Sequence, residues 1–379
     1  MREMKITGID AYPVGGEMRF PGKGLATPYD IVIVRVTTDA GICGFGEAPA
    51  HTASLGDGRD AIIWLLRQYE AALDGVSAWQ LAKMHKRMLA INGGLSGRIP
   101  DAARCAVDIA VHDVLGKAVG QPVYAILNGG LRSEFGALGT EFGRTVEEKV
   151  EHVQRYLGAG YAGLEVKVRI DDGLDLCEVR RQCDMLRSVL EVTPTSVEVI
   201  ADMNQRWGAA KNSILMAHSL LAGYSNLYFE QPVHYADLAG MATIRAAIPY
   251  PVIADESATG PEVLIDIVRR QAADMISIKL ARVGGLYPAM QMLTIAEAAG
   301  IEIRTDTAPN GHIGDTATAH LAACVRIPHP VSDGWTWFTP DVVSGGVQLG
   351  GDGVIRISEA PGLGIDVDLA SLERARQAG

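Results

Sequence analysis

Charged and amide residues stand at the ends of five short apolar segments in this chain. They are Lys167 and Arg169 in GLEVKVR, Asp202 and Asn204 in VEVIADMN, Glu230 and Gln231 in NLYFEQP, Asp255 and Glu256 in PVIADES, and Lys279 in DMISIKL. Asp202 to Glu230 spans 28 residues, Glu230 to Asp255 spans 25, and Asp255 to Lys279 spans 24. Such intervals fit one strand and one helix per step, as in a barrel of parallel strands whose carboxyl ends share one mouth. Residues two apart in a strand face the same side, so Lys167 joins Arg169 there, and Asp202 joins Asn204. Three carboxylates, Asp202, Glu230 and Asp255, suit a hard divalent ion such as Mg²⁺, which prefers oxygen ligands and keeps positions open for a substrate carboxylate. An Asp at a strand-to-helix turn often serves only as a helix cap. Glu230 is a poor cap and the three share equivalent positions, so the metal reading is preferred.

Lys279 ends an apolar run, where an unpaired ammonium is costly to bury. A divalent cation and two neighbouring cations should lower its pKa and free the amine to act as a base. The plainer alternative is an ion pair with Asp255. Lys167 fits carboxylate binding, a base role, or both.

The elements that must hold these residues can be read from the rest of the chain. Its 379 residues, 48% hydrophobic and 21% charged, suit one barrel plus a smaller domain. From about Phe135 to Trp335, eight short apolar runs centre near Gly139, Val166, Ile200, Tyr228, Ile253, Ile276, Ile303 and Val331, the count of a (β/α)8-type barrel. Before them come strand-like segments with a hairpin turn at Asp39–Gly41, then helical stretches from about Arg59 to Gly120, one of them Ala-rich and ending at glycine. Gly15–Pro28 shows no period and reads as a mobile loop. The Gly-rich tail from about Ser344 is strand-like and is expected to return to the N-terminal part. Expected boundaries are 1–130, 131–343 and 344–379. A net charge of −11 argues against nucleic acid and anionic membrane as partners. Five cysteines without a CxxC pair, and no apolar signal core, point to a reducing cytoplasmic setting.

Several ordered segments together resemble the enolase superfamily, in its mandelate racemase and muconate-lactonising group: AARCAVDIAVHDVLGKAVGQPVYAILNGG, KVR, ADMNQRW, FEQPV, ADES, IKLARVGG and PGLGIDVD. The resemblance covers essentially the whole chain. It implies an α+β capping domain, built from both termini, over a modified (β/α)8 barrel. It implies Mg²⁺ on Asp202, Glu230 and Asp255, with Lys279 as base. It further implies a small carboxylate substrate whose α-proton is removed with enediolate stabilisation, and relatives are commonly homo-oligomers.

Many relatives carry Lys-x-Lys where this chain has Lys167-x-Arg169, and their second lysine is a base. A guanidinium stays protonated, so Arg169 is a poor base and reads instead as a substrate contact with Asn204. This favours one-base dehydration of a small hydroxy acid, such as a hydroxyproline, over two-base racemisation. A racemase or epimerase of an amino-acid derivative, using Lys167 and Lys279, is the alternative. A cycloisomerase follows, and a non-catalytic carboxylate binder ranks last. Asp306 is expected to meet a substrate cation, or else to pair with Lys279 or Arg304. His312 is an acid candidate, and Trp335 and Trp337 could flank a substrate cation. The loops at Gly15–Pro28 and His51–Arg59 are expected to set specificity.

Overall fold

The chain opens with an antiparallel meander. A computed structural model describes residues 3–20, 26–50, 58–92, 101–127, 129–170, 175–207, 211–339 and 342–378. Strand β1 (Ile6–Met18) pairs with β2 (Thr27–Thr38), and β2 pairs with β3 (Cys43–Pro49) across the turn at Asp39–Gly41. The expected mobile loop is shorter than its composition suggests. Gly15–Met18 and Thr27–Pro28 are ladder residues, because Val14 and Met18 bury one face of β1. Residues 21–25, and residues 51–57 of the second expected specificity loop, lie outside the described residues.

Helices Arg59–Leu73, Leu81–Asn92 and Ala102–Val119 cover this sheet. The third is buried from Ala102 to Gly116. It lies so close to β3 that a Cβ at Gly44 or Gly46 would stand 2.1 or 1.9 Å from the carbonyl oxygens of Ala110 and Ala106. Only glycine permits that approach.

The eight apolar runs become β4 (Glu134–Glu141), β5 (Gly163–Lys167), β6 (Glu198–Asp202), β7 (Leu227–Glu230), β8 (Val252–Ala254), β9 (Met275–Ile278), β10 (Glu302–Thr305) and β11 (Val331–Ser332). Parallel pairing runs in sequence from β4 to β10, and β11 returns to pair with β4. Each step carries a helix, and local signals set the starts. Thr145 and Glu148 form a capping box for Val146–Gly158, Asp175 caps Leu176–Val192, and Pro261 opens Pro261–Arg270. This is the (β/α)8-type architecture beneath an α+β cap.

After β11 a short turn leads to β12 (Phe338–Thr339), which pairs with β1, so the cap is hydrogen-bonded to the barrel's last strand-end segment. Strands β13 (Val343–Gly345), β14 (Val347–Leu349), β15 (Val354–Ile357) and β16 (Ile365–Val367) follow. Here the tail departs from expectation. Strand β15 pairs with the first half of β4, burying Val347, Ile355 and Ile357 against Phe135 and Val331. Only later does the chain reach the N-terminal part. Val123 donates to the Gly362 carbonyl at 2.8 Å, Leu363 donates to Asp113 at 2.8 Å, and Tyr12 reaches Glu373 at 3.0 Å.

At the amino ends of the barrel strands, His329 bridges Glu198 at the start of β6 and Glu302 at the start of β10, both at 3.1 Å. Burial pulls the imidazole pKa down, but the two carboxylates outweigh it and raise it above its ordinary value. A raised folded-state pKa stabilises fully below the unfolded value of about 6.5 and is lost as pH climbs through the folded value. The melting-temperature advantage of the wild type over His329→Gln is expected to be roughly 2–4 °C larger at pH 6 than at pH 9. An advantage that does not change with pH, followed by calorimetry, would contradict this.

Candidate active site

The pleat sorts each barrel strand into two sets. Val166, Val199, Ala201, Phe229, Ala254, Ile276 and Ile278 join the layer shared with the helices. In opposite phase, Leu138, Ile200, Ile253 and Met275 form a small separate apolar cluster with half-buried Tyr228, plugging the lumen. Two residues beyond the members of that plug, Asp202 follows Ile200, Glu230 follows Tyr228, Asp255 follows Ile253, and Ser277 then Lys279 follow Met275. Glu165 on β5 and Arg304 on β10 share this inward phase, and both are buried. A charged layer therefore rests on a dry one.

The layer has two matching halves. Lys167 Nζ donates to Asp202 Oδ2 at 2.5 Å and also to Glu165. Lys279 Nζ lies 3.0 Å from both Asp255 Oδ2 and Asp306 Oδ2. Between them, Arg304 donates through Nη1 to Glu230 Oε2 at 2.9 Å. Its Nη2 donates to Glu165 Oε2 at 2.6 Å and Asp306 Oδ1 at 3.2 Å. Each lysine thus sits between a strand-end aspartate and a second acid that Arg304 also holds. Strands β5 and β9 are separated by β6, β7 and β8, so the lysines stand on opposite walls with Glu230 midway. Arg282 adds 2.6 Å and 2.8 Å bonds to Asp255 Oδ1 and its carbonyl.

These contacts decide the protonation preferences. Burial alone would depress Lys279, yet Asp255 and Asp306 outweigh it and hold the pKa well above the usual lysine range. Lys167 is raised likewise, since Asp202 and Glu165 override its burial. The expected lowering of the Lys279 pKa rested on a divalent cation beside it, and the two carboxylates that face the ammonium act in the opposite direction. Burial would push Asp255 up, but Arg282 and Lys279 hold it well below the usual carboxylate range, and Lys167 and Arg304 do the same for Glu165. Glu230 goes the other way. Burial, with Asp202, Glu165 and Asp255 nearby, pushes it well above, and Arg304 does not compensate.

Glu230 Oε1 is also buried without a hydrogen-bond partner. Among the described residues, one group of carboxylates converges closely enough to hold a metal ion: Glu230, Asp255 and Asp306, with oxygen atoms within 4.8 Å of one another. The structure brings Glu230 and Asp255 together as expected but adds Asp306 in place of Asp202, whose oxygens face Lys167 and the Asn204 N–H. An all-carboxylate set with an orphaned central oxygen fits a hard divalent cation.

The outer edge is fixed by strained backbone. Asn204, Gln205 and Gln231 have φ of 42°, 69° and 37°, left-handed values uncommon outside glycine. Asn204 accepts from Arg169 Nε at 2.8 Å and reaches Glu256 at 3.4 Å. Burial and the neighbouring Asp255 push the Glu256 carboxyl up to about 7. Gln231 Oε1 accepts from the Asp255 and Ser257 N–H groups at 3.0 and 3.1 Å, while its Nε2 donates to Val233 O and Ser257 Oγ. Trp337 packs with Phe20 and Phe142, and the Phe142 ring lies 5.7 Å from Lys167 Nζ.

Two expected roles move, and one alternative is selected. Asp306 is engaged by Lys279 and Arg304, the pairing weighed against a substrate cation. His312 Nε2 contacts the Gly345 and Val347 carbonyls at 2.9 and 3.1 Å, anchoring the tail instead of facing Lys279. Trp335 packs beside His312 in another cluster, so it forms no cage with Trp337. Glu165 and Arg282 are additions that the strand-end pattern does not single out. Their signal is a charge in phase with the plug for Glu165, and one turn past Lys279 for Arg282.

The sequence matches the family described as Enolase C-terminal domain-like over residues 148–371, and the mandelate racemase / muconate lactonizing enzyme N-terminal domain over residues 26–128. It is 30% identical to the N-succinyl-L-Arg/Lys racemase of Bacillus cereus, over 98% of this chain and 97% of that protein. It is 31% identical to the L-Ala-D/L-Glu epimerase of Bacillus subtilis, over 96% and 97%. It is 28% identical to the cis-3-hydroxy-L-proline dehydratase of Roseibium aggregatum, over 96% of each. Among solved structures, the Enterococcus faecalis dipeptide epimerase complexed with Mg and L-Leu-L-Tyr aligns with a TM-score of 0.86 at 25% identity, covering 96% of this chain and 99% of that one.

Gln231 is the clamp on which the Asp255 position depends. Gln231→Leu leaves two buried N–H groups without their acceptor and should cost about 2–4 kcal/mol of stability. It should also weaken Mn²⁺ binding at least tenfold, as read by isothermal titration. Unchanged Mn²⁺ affinity in the folded variant would refute the clamp.

Proposed function

Given that the chain belongs to the mandelate racemase / muconate lactonizing enzyme family of the enolase superfamily, we propose that it is a Mg²⁺-dependent racemase or epimerase acting at the α-carbon of an N-acylated amino acid or dipeptide. The observation that carries this reading is the pair of lysines on opposite walls, each held by its own strand-end aspartate on either side of Glu230. Inversion needs one proton acceptor and one donor on opposite faces of a carbon, and Lys279 and Lys167 occupy those places. Racemase and epimerase relatives support the same order of preference. Dehydration, which Arg169 favours when the sequence is taken alone, becomes the second reading and rests on Arg169 and on one dehydratase relative.

Asp202, Glu230 and Asp255 are the proposed ligands. Lys279 already fills the space between Asp255 and Asp306, so an ion on the Asp202 side of Glu230 leaves that lysine in place. The bound ion supplies positive charge beside the substrate carboxylate, where charge released by α-proton removal collects. With Asp202 and Asp255 engaged as ligands, each lysine keeps one acid partner, Glu165 for Lys167 and Asp306 for Lys279. One lysine, as the free amine, accepts the α-proton; the other, as the ammonium, delivers its proton to the opposite face. The aromatic wall of Phe20, Phe142 and Trp337 shields the Lys167 side from water.

The test uses Mg²⁺ in D₂O with N-succinyl-L-lysine, L-Ala-L-Glu and cis-3-hydroxy-L-proline as probes. Deuterium should enter the α-position with inversion and without loss of water, and chelation by EDTA should stop it. Lys167→Ala and Lys279→Ala should each lower kcat for inversion about 10³-fold. Water loss without inversion would transfer the enzyme to the dehydratases. Inversion that survives Lys167→Ala would remove that lysine from the mechanism.

A further inference from the structure

Arg304 is among the largest fully buried side chains of the protein, and its position in the charged layer is singular. One guanidinium contacts three carboxylates, and each of these belongs to a different part of the site. Glu165 is a partner of Lys167, Asp306 is a partner of Lys279, and Glu230 is the central acid midway between the two walls. Within each half the order of groups is the same: strand-end aspartate, lysine, second acid, Arg304. The halves meet at Nη2, which both second acids share, while Nη1 reaches only Glu230. Nothing apolar could make these three bonds, and a lysine ammonium lacks the planar fork that spans them.

We propose that Arg304 is a positioning residue for both proton-transfer groups: its fork fixes Glu165, Glu230 and Asp306 as one array, so that Lys167 and Lys279 are held to the same centre from opposite walls. The proposal rests on the two-lysine reading given above. It assigns Arg304 no contact with substrate. It distinguishes Arg304 from Arg282, which contacts Asp255 and so serves only the Lys279 half. A simple charge-filling role for Arg304 would require only a cation at this depth, whereas an array requires the fork.

The direct test is Arg304→Lys, which keeps the charge and loses the geometry, followed as α-deuterium exchange from each enantiomer of whichever probe the wild type turns over. Exchange from both enantiomers should fall together, at least about 100-fold in kcat, with KM within about threefold and the fold intact by calorimetry. Glu165→Gln keeps an oxygen acceptor for Arg304 but removes the carboxylate partner of Lys167, and should slow exchange from one enantiomer at least about 30-fold while sparing the other. Asp306→Asn should do the reverse. Wild-type kcat in Arg304→Lys, or loss confined to one enantiomer, overturns the proposal. If Arg304→Lys does not fold, the two half-site variants decide: opposite enantiomer preferences support the array, and the same preference overturns it. If the wild type exchanges none of the probes, the functional reading fails, and the array is judged by Mn²⁺ titration. Arg304→Lys should then weaken Mn²⁺ at least tenfold, and unchanged affinity overturns it.

Discussion

The constraint on which the rest depends is that a layer of ionised side chains lies on an apolar plug that offers it no hydrogen bonds. Ile200, Ile253 and Met275 fill the lumen and offer no hydrogen bonds, so Glu165, Glu230, Asp255 and Arg304 are satisfied by charged neighbours in their own layer, among them Lys167, Lys279, Arg282 and Asp306. Removing one member of such a buried pair typically costs about 3–5 kcal/mol, because the other is left uncompensated. Nearly every group in the layer meets that demand. The Nε atoms of Arg282 and Arg304 have no partner, and Glu230 falls furthest short, for one of its oxygens has no partner and burial disfavours its charged form. The deficit sits at the centre of the site, where a divalent cation would correct it.

The two halves of the layer are made rigid by different parts of the molecule. The cap secures the Lys279 half. Asp108 accepts from the Leu286 N–H at 2.5 Å and contacts His85 at 2.7 Å, and Arg104 donates to the Val283 carbonyl at 3.0 Å. Between these two contacts Gly284 and Gly285, at φ 91° and 116°, leave no room for a Cβ against Arg104 and Asp108. Further along, Glu47 accepts from the Gly311 N–H at 2.5 Å and Tyr29 donates to the Pro309 carbonyl at 2.7 Å, fixing the segment after Asp306. The Lys167 half is secured from within the barrel. Buried Lys149 donates to the Lys167 carbonyl at 3.3 Å and to Glu141 at 2.6 Å, and Trp207 donates to the Val168 carbonyl at 2.6 Å. A shift of the cap therefore bears on one lysine more than on the other.

The barrel was legible in the sequence because its signal is periodic: eight apolar runs at near-even intervals map onto β4 to β11. The strand-end charges were legible for the same reason, since position in the repeat predicts convergence at one mouth. What spacing cannot convey is pairing within the layer. Asp306 reads from sequence either as an acid for a substrate cation or as a partner of Lys279 or Arg304, and only the packed barrel shows both cations on it. Glu165 lies one pleat before Lys167 inside an apolar run and carries no spacing of its own. The tail misleads for a related reason. Alternation in Val347–Ile357 announces a strand, yet the choice of β4 as its partner depends on where Phe135 and Val331 leave apolar surface uncovered.

Arg169 is the residue on which sequence and structure pull apart, and its chemistry explains why it does not settle the reaction. A guanidinium that cannot give up its proton is a poor base, which counts against inversion through that residue. The same property makes it a poor acid for a departing hydroxyl, which counts equally against dehydration through it. Its Nε is committed to Asn204, so the group is a fixed cation at the edge, not a participant in proton transfer. In the proposed inversion, proton movement on that wall is assigned to Lys167. Lys167, Arg169, Lys279, Arg282 and Arg304 face Glu165, Asp202, Glu230, Asp255, Glu256 and Asp306, a formal excess of one negative charge. A divalent ion would turn that into an excess of one positive charge with both lysines protonated, and into balance with one lysine as the free amine. Inversion and elimination leave this balance alike, because the α-proton taken by the base equals the proton that turns a departing hydroxide into water; what separates them is a second lysine on the opposite wall, which inversion needs and elimination does not.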